Sequence, residues 1–349
     1  MITKGSTIEH LLPARHQQQE LFICDVADAV LKDVMQHMEH PFYSLSKKPE
    51  TRIRRYEHKG NWLEIIPSVK GQATIYDKDI LIYCISQIMA KLNNGEPVSE
   101  RVRINSHELL IFTNRGTAGK DYVALSEAID RLAGTRISTN IKSADEEQYD
   151  NFGLIDAASI RRKNGLDGRL LWCDVTLSNW VFNAIRASEV LTLHPDYFRL
   201  RKPMERRIYE LARKHCGQQA EWHISLDILL KKSGSQSPMK RFKQMIAGLA
   251  DHNHLPDYHV RLHDDKVTFT NRNSMRGHRE FEKAIIEGNI TLSSDIYSKA
   301  REAAPGYDVH YLEQEWLSFW EDSGKPKMHH ADAAFIAFCH RRYKRNPNP

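Results

Sequence analysis

Arg101-Val102-Arg103-Ile104-Asn105-Ser106-His107-Glu108-Leu109-Leu110 and Glu221-Trp222-His223-Ile224-Ser225-Leu226-Asp227-Ile228-Leu229 are one pattern written twice. Each starts as a short β-like run and passes into S-x-[ED]-[LI]-L. The serine suits a helix N-cap, and an acid in the first turn suits the positive end of the helix dipole. A glycine- or serine-rich turn follows each, Asn114-Arg115-Gly116-Thr117-Ala118-Gly119 in the first and Ser233-Gly234-Ser235-Gln236-Ser237 in the second. A longer helix comes next, with the same apolar spacing of four then three: Leu125, Ile129, Leu132 against Phe242, Ile246, Leu249.

Working outward, each pattern is preceded by an opening helix. Asp77 to Leu92 carries Ile80, Leu81, Cys84, Ile85, Ile88 and Leu92 on one face and is stopped by Asn93-Asn94-Gly95. Pro203 to Cys216 has proline in its first turn and Gly217 as its stop. Each unit ends in alternating runs: Thr135 to Ile141 and Leu154 to Ile160 in the first, Tyr258 to Leu262 and Val267 to Thr270 in the second. Helix, strand, helix, turn, helix, strand, strand is the order of a helix-turn-helix with a β-hairpin wing. The expected fold is therefore α+β, with two tandem winged-helix domains and a helical C-terminal region. The expected boundaries are an N-terminal extension over 1–75, with a helix from Asp25 to Met38 and a strand at Trp62 to Ile66, a first winged-helix domain over 76–198, a second over 199–275, and helices over 276–349.

In 349 residues, 41% hydrophobic and 27% charged, there is room for two or three ordinary globular domains. No apolar run is long enough to cross a bilayer, and the first residues lack a signal-peptide core, so a cytoplasmic location without membrane contact is expected. The five cysteines are scattered and never in C-x-x-C spacing, which argues against a zinc site or a disulfide framework. No Walker-type glycine loop, G-x-S-x-G or H-E-x-x-H motif is present. His252-Asn253-His254 has the spacing of a nicking enzyme's metal site, but it falls at a helix end with no apolar strand around it. The expectation is a protein that is not an enzyme and holds no cofactor or metal.

The net charge of +5 is unevenly placed. From Arg199 to Lys243 there are twelve bases against four acids, an excess of eight within 45 residues. On the second unit's long helix, Met239, Phe242, Met245, Ile246 and Leu249 share one face, while Lys240, Arg241, Lys243, Gln244 and Ala247 lie away from it. A helix-turn-helix presents that outer face to the major groove, where cations meet phosphates and Arg or Gln can pair with guanine or adenine edges. Ser235 and Ser237 stand at the helix start, with Lys231, Lys232, Arg201 and Lys202 as flanking cations. The first unit's long helix packs through Tyr122, Leu125, Ile129 and Leu132, leaving Lys120, Asp121, Ala124, Glu127, Ala128 and Arg131 outside in balance. Its expected DNA contacts are Arg115, Thr117, Lys120 and Arg136, with Arg161-Arg162-Lys163 between later strands as further candidates. The alternative for this domain is contact with another protomer in a homodimer. The second unit ranks as the main reader of double-stranded DNA.

Three strings go beyond pattern: Ala73-Thr74-Ile75-Tyr76-Asp77-Lys78-Asp79-Ile80-Leu81-Ile82-Tyr83-Cys84, then Leu132-Ala133-Gly134-Thr135-Arg136-Ile137-Ser138-Thr139-Asn140, then Asp196-Tyr197-Phe198-Arg199-Leu200-Arg201-Lys202-Pro203 through Ala212-Arg213-Lys214-His215. With Met38-Glu39-His40-Pro41 and Lys232-Ser233-Gly234-Ser235, they resemble the replication initiator protein A family of bacterial plasmids over about residues 20–270. The resemblance implies a cytoplasmic initiator that binds specific sites at a plasmid origin and recruits host replication proteins, a helicase or an initiator. A transcriptional repressor built on the same domains, without origin opening, is the alternative.

In the C-terminal region Trp316, Phe319 and Trp320 fall on one helix and Phe335 and Phe338 on the next, followed by His340-Arg341-Arg342-Tyr343-Lys344-Arg345. This reads either as a small helical core with a solvated basic tail, which is favoured, or as aromatics set to stack on single-stranded bases.

Overall fold

The computed structural model describes residues 10–16, 31–58, 60–140, 150–162, 170–274, 292–293, 296–305, 307, 309–322 and 330–345. The chain is α+β and divides into two compact units, Met1–Asn271 and Arg272–Pro349. In the larger unit the order begins with β1 (Lys32–Val34), α1 (Met35–Glu39), β2 (Arg54–His58) and β3 (Asn61–Ile66). Then come α2 (Lys78–Asn93), β4 (Arg101–Asn105), α3 (Ser106–Phe112) and α4 (Gly119–Gly134). Next are β5 (Arg136–Thr139), β6 (Asp150–Gly153), β7 (Ile155–Arg162), β8 (Leu170–Leu177), α5 (Asn179–Arg186) and β9 (Val190–Thr192). A 3-10 turn (Pro195–Arg199) leads into α6 (Pro203–His215), β10 (Glu221–Ser225), α7 (Leu226–Ser233), α8 (Met239–His252), β11 (Tyr258–His263) and β12 (Lys266–Asn271).

The two patterns fold alike. Each closes a three-stranded antiparallel sheet with the first strand at one edge and the last in the middle, β4-β8-β7 and β10-β12-β11. Ile104 lies opposite Cys173 in one sheet and Ile224 opposite Val267 in the other, with all four buried. The long helices bury the residues their spacing assigns, Leu125, Ile129 and Leu132 on α4 and Phe242, Ile246 and Leu249 on α8. Burying each such side chain is worth about 1.5–3 kcal/mol against leaving it exposed.

Several expectations are corrected. The run from Thr135 to Ile141 is not the wing partner of Leu154 to Ile160. Its strand β5 instead joins β3 and β6 in a separate sheet, β2-β3-β5-β6. The hairpin against β4 is β7–β8. Its central strand β8 alternates Cys173, Val175 and Leu177 inward with Asp174 outward, and the sequence reading had not singled it out. Residues 54–66 are thus woven into the unit's sheets. Of the helix expected from Asp25 to Met38, Lys32–Val34 is strand paired with β9, only Met35–Glu39 is helix, and the part before Leu31 lies outside the described residues. The first unit's N-cap is Asn105, whose side chain accepts from the His107 and Glu108 amides, while Ser106 is buried. Helix α2 is no half-exposed amphipath: every residue from Lys78 to Met89 is buried. It lies between the two halves, Ile82 packing into one core and Ile80, Leu81 and Ile85 into the other.

The charged residues opening α2 and α6 are buried together. Lys78 Nζ lies 2.6 Å from Asp33 and 2.8 Å from Glu210. Tyr197 donates its hydroxyl to Glu210 at 2.6 Å, and Arg207 binds Glu210 and the carbonyls of Met38, Glu39 and Lys232. Buried charges are tolerated when paired and hydrogen-bonded in this way. Glu39, though burial works against its ionisation, is held far below the usual carboxylate range by hydrogen bonds from His215 and Lys232.

The smaller unit has α9 (Ile296–Ala303), α10 (Val309–Asp322) and α11 (Ala331–Arg345) around a core that includes Trp316, Phe335 and Cys339. Trp320 is buried and Phe319 is exposed.

Candidate nucleic-acid interface

In the second half, α7 ends at Gly234, which holds a left-handed φ of +72°. A Cβ there would lie 2.5 Å from Pro41 Cβ, so glycine answers both the backbone turn and a close approach. A serine ladder then sets the turn. Ser233 Oγ accepts from the Ser235 amide at 3.2 Å, and Ser235 Oγ from the Ser237 amide at 3.3 Å. Ser235 and Ser237 are therefore brought to the start of α8, half-buried.

The exposed side chains of α8 include the expected Lys240, Arg241, Lys243 and Gln244. Lys243 is engaged with Asp265, in the turn between β11 and β12, at 2.8 Å. Lys240, Arg241 and Gln244 have no hydrogen bond or ion pair among the described residues. Three features of this helix were not read from the sequence. Met239, assigned to the inner face, is 39% exposed, because the first residue of the helix overhangs the core. Asp251 is exposed on the same side as Lys240 and Gln244, ending the cationic stretch. Gly248 lies on that outward side too, where a Cβ would meet nothing within 4 Å.

The twelve-base cluster shrinks in three dimensions. Arg206 and Arg207 are buried in ion pairs, Arg199 binds Asp196 and the Leu12 carbonyl, and Arg213 binds the Thr192 carbonyl. Lys232 is tied to Glu39. Lys231 is exposed. Arg201 and Lys202 are exposed, but Lys202 bonds Glu205, which contacts His254 just beyond the far end of α8. They thus lie about 20 Å of helix away from Ser235 and Ser237 and do not join them in one cluster.

In the first half, Arg115 is not free: it binds Asp79 at 2.9 Å and the Tyr76 carbonyl. Arg136 is held by Asn151 across β5 and β6. Thr117 is half-buried and Lys120 exposed at the start of α4. Ala128, expected outside, is buried, and Arg131 turns back to Asp77 at 2.8 Å. Arg161 is exposed, the side chain of Arg162 is not described, and Lys163 lies outside the described residues. His252, Asn253 and His254 are a helix end: Asn253 takes a left-handed φ of +49°, and His254 is buried 3.2 Å from Glu205. Among the described residues no cluster of three His, Cys, Asp or Glu could hold a metal, Cys84, Cys173, Cys216 and Cys339 are unpaired, and no helix is long and apolar enough to cross a membrane.

Fold and site define an α+β chain whose larger unit has two like helix-and-hairpin halves, the second presenting a helix with exposed cations and an amide. The sequence profile of the replication initiator protein A family matches residues 32–260. A protein of Wigglesworthia glossinidia brevipalpis, named provisionally as a replication protein, is 38% identical over 259 residues, 73% of this chain and 94% of its own. The chain belongs to the replication initiator protein A family. Domains 2 and 3 of RctB share its fold with a TM-score of 0.51 at 11% identity, covering 67% of this chain and 97% of theirs. The Pi initiator protein, solved in complex with iteron DNA, is similar at a TM-score of 0.42 and 15% identity over 57% of this chain and 92% of its own, too weak a likeness to bear on the fold.

Proposed function

We propose that this chain is a plasmid replication initiator that binds specific double-stranded sites at an origin through two tandem winged-helix domains, 76–198 and 199–275, and recruits host replication proteins in the cytoplasm. The observation that carries the reading is the outward face of α8. In a member of a replication initiator family, Lys240, Arg241 and Gln244 stand exposed, without partners among the described residues, on the second helix after a tight turn. That is the helix a winged-helix unit lays in the major groove, and Arg and Gln are the side chains suited to guanine and adenine edges there. The repeated sheet order supports two such units. The first offers an exposed Lys120 and a half-buried Thr117 at its helix start, suited to backbone contacts rather than base readout. A groove of about 600 Å³, lined by Tyr83, Ile88, Val98 and the exposed Trp172 together with Lys91 and Glu108, is a candidate seat for a second protomer. Binding and recruitment need no catalytic step.

The test is a footprint of the purified protein on its replicon at several salt concentrations. Discrete protected sites that survive competitor DNA are expected, together with strand opening at the origin. Protection without opening would favour the repressor, and diffuse, salt-labile protection would overturn the reading.

A further inference from the structure

We propose that residues 10–16 form an arm that carries Arg15 to the DNA backbone beside the first winged-helix unit, an inference that rests on the DNA-binding reading above. The segment is built into the fold at both ends. At one end the Leu12 amide donates to the Arg199 carbonyl at 2.8 Å, and Arg199 Nε donates back to the Leu12 carbonyl at 2.7 Å. The His10 ring stacks on His252 at 3.8 Å. At the other end the Arg15 amide donates to Asn114 Oδ1 at 2.8 Å, Asn114 Nδ2 donates to the Pro13 carbonyl at 3.1 Å, and His16 Nε2 pairs with the Arg115 carbonyl at 2.7 Å. Asn114 takes a left-handed φ of +55°, the turn conformation that lets its side chain face the arm.

The arm is thereby pinned to the turn between α3 and α4, the part of a helix-turn-helix that approaches the phosphates as its second helix enters the groove. The turn's own arginine cannot serve there, because Arg115 is committed inward to Asp79 and Tyr76. Arg15 is exposed and has no ion pair among the described residues. Its backbone is ordered before any ligand arrives while its guanidinium is unspent, an arrangement that lowers the entropy cost of a contact. Lys120, exposed at the start of α4, is the neighbouring cation on the same approach.

The experiment titrates salt against binding by the full chain, using a duplex selected by the parent protein from random sequences and an unselected duplex. Arg15→Ala is expected to lower the slope of log K on log salt by about 0.9 on both duplexes, the signature of one phosphate contact, and Arg15→Lys to restore it. Asn114→Gly keeps the left-handed backbone but removes both side-chain bonds to the arm, so it is expected to weaken binding several-fold in the same sequence-independent way. Arg241→Ala is the reference. If it weakens binding while Arg15→Ala leaves affinity and slope at parental values, the arm is only a tie between the two units and the proposal is overturned, with DNA binding intact. If the parent protein selects no duplex at all, the DNA-binding reading has failed and takes the arm with it.

Discussion

Arg206 of α6 reaches 2.6 Å to Asp79 of α2, joining the opening helices of the two repeats across 127 residues of sequence with both side chains buried. Asp79 also receives Arg115, and Arg206 lies over the Tyr76 and Tyr197 rings. The pair ties the two repeats together within the larger unit; if both bind DNA as proposed, their spacing on a duplex would be set by the fold.

Removing one member of such a pair leaves the other charge buried. Arg206→Met is expected to cost about 3 kcal/mol, at the low end for a broken buried pair because Arg115 still serves Asp79. The check is the urea midpoint at unchanged slope. The double variant Arg206→Met with Asp79→Asn should be less unstable than the two single losses summed. Additive losses would mean that the pair is not coupled.

Stability should fall as the solution is acidified. Burial pushes the His40 imidazole down to about 4, with Arg207 and Lys232 adding to it against Glu39. A histidine whose folded value is depressed stays neutral in the native state while the unfolded chain takes up a proton. Stability is therefore complete above the ordinary histidine value of about 6.5 and lost as pH falls from there to about 4. Glu39, held low, adds a second loss below the ordinary glutamate value of about 4.3. A chemical-denaturation series should show a declining midpoint from pH 6.5 downward, and His40→Gln should flatten its upper part.

On α8, Arg241→Ala and Lys240→Ala are expected to weaken specific binding far more than Lys120→Ala on α4. Loss of a base-reading arginine costs about 1–3 kcal/mol and relaxes specificity at one position, whereas a phosphate-contacting lysine lowers affinity on all sequences alike. Anisotropy titrations on selected and unselected duplexes separate the two. Equal losses at all three positions would overturn the dominance of the second unit.

The repeat was legible because its signals are local. Four-then-three apolar spacing, a first-turn acid and a Gly234 stop are decided within a turn or two of helix. The surface was not. Arg206 and Arg207 read as exposed cations until Asp79 and Glu210, distant in sequence or buried on the same helix, come to meet them. Strand β5 has the alternation of a wing strand, but alternation does not name a partner, and β5 pairs with β3 and β6 instead. Met239 obeys helical spacing yet overhangs the core, which a periodic reading cannot see at a helix end.

Gly248 separates stability from binding. A glycine inside a helix costs about 0.5–1 kcal/mol against alanine. No neighbour demands it here, since an added Cβ meets nothing within 4 Å and its φ is not left-handed. Gly248→Ala should therefore raise the unfolding midpoint. It sits beside Ala247 on the outward side, one turn after Gln244, where a groove wall would come closest to the backbone of α8. The same methyl should then weaken specific binding, with the added stability and the lost affinity measured on one preparation. A variant both more stable and undiminished in affinity would show that this stretch of α8 stands clear of the duplex and would confine its contacts to the turn around Lys240 and Arg241.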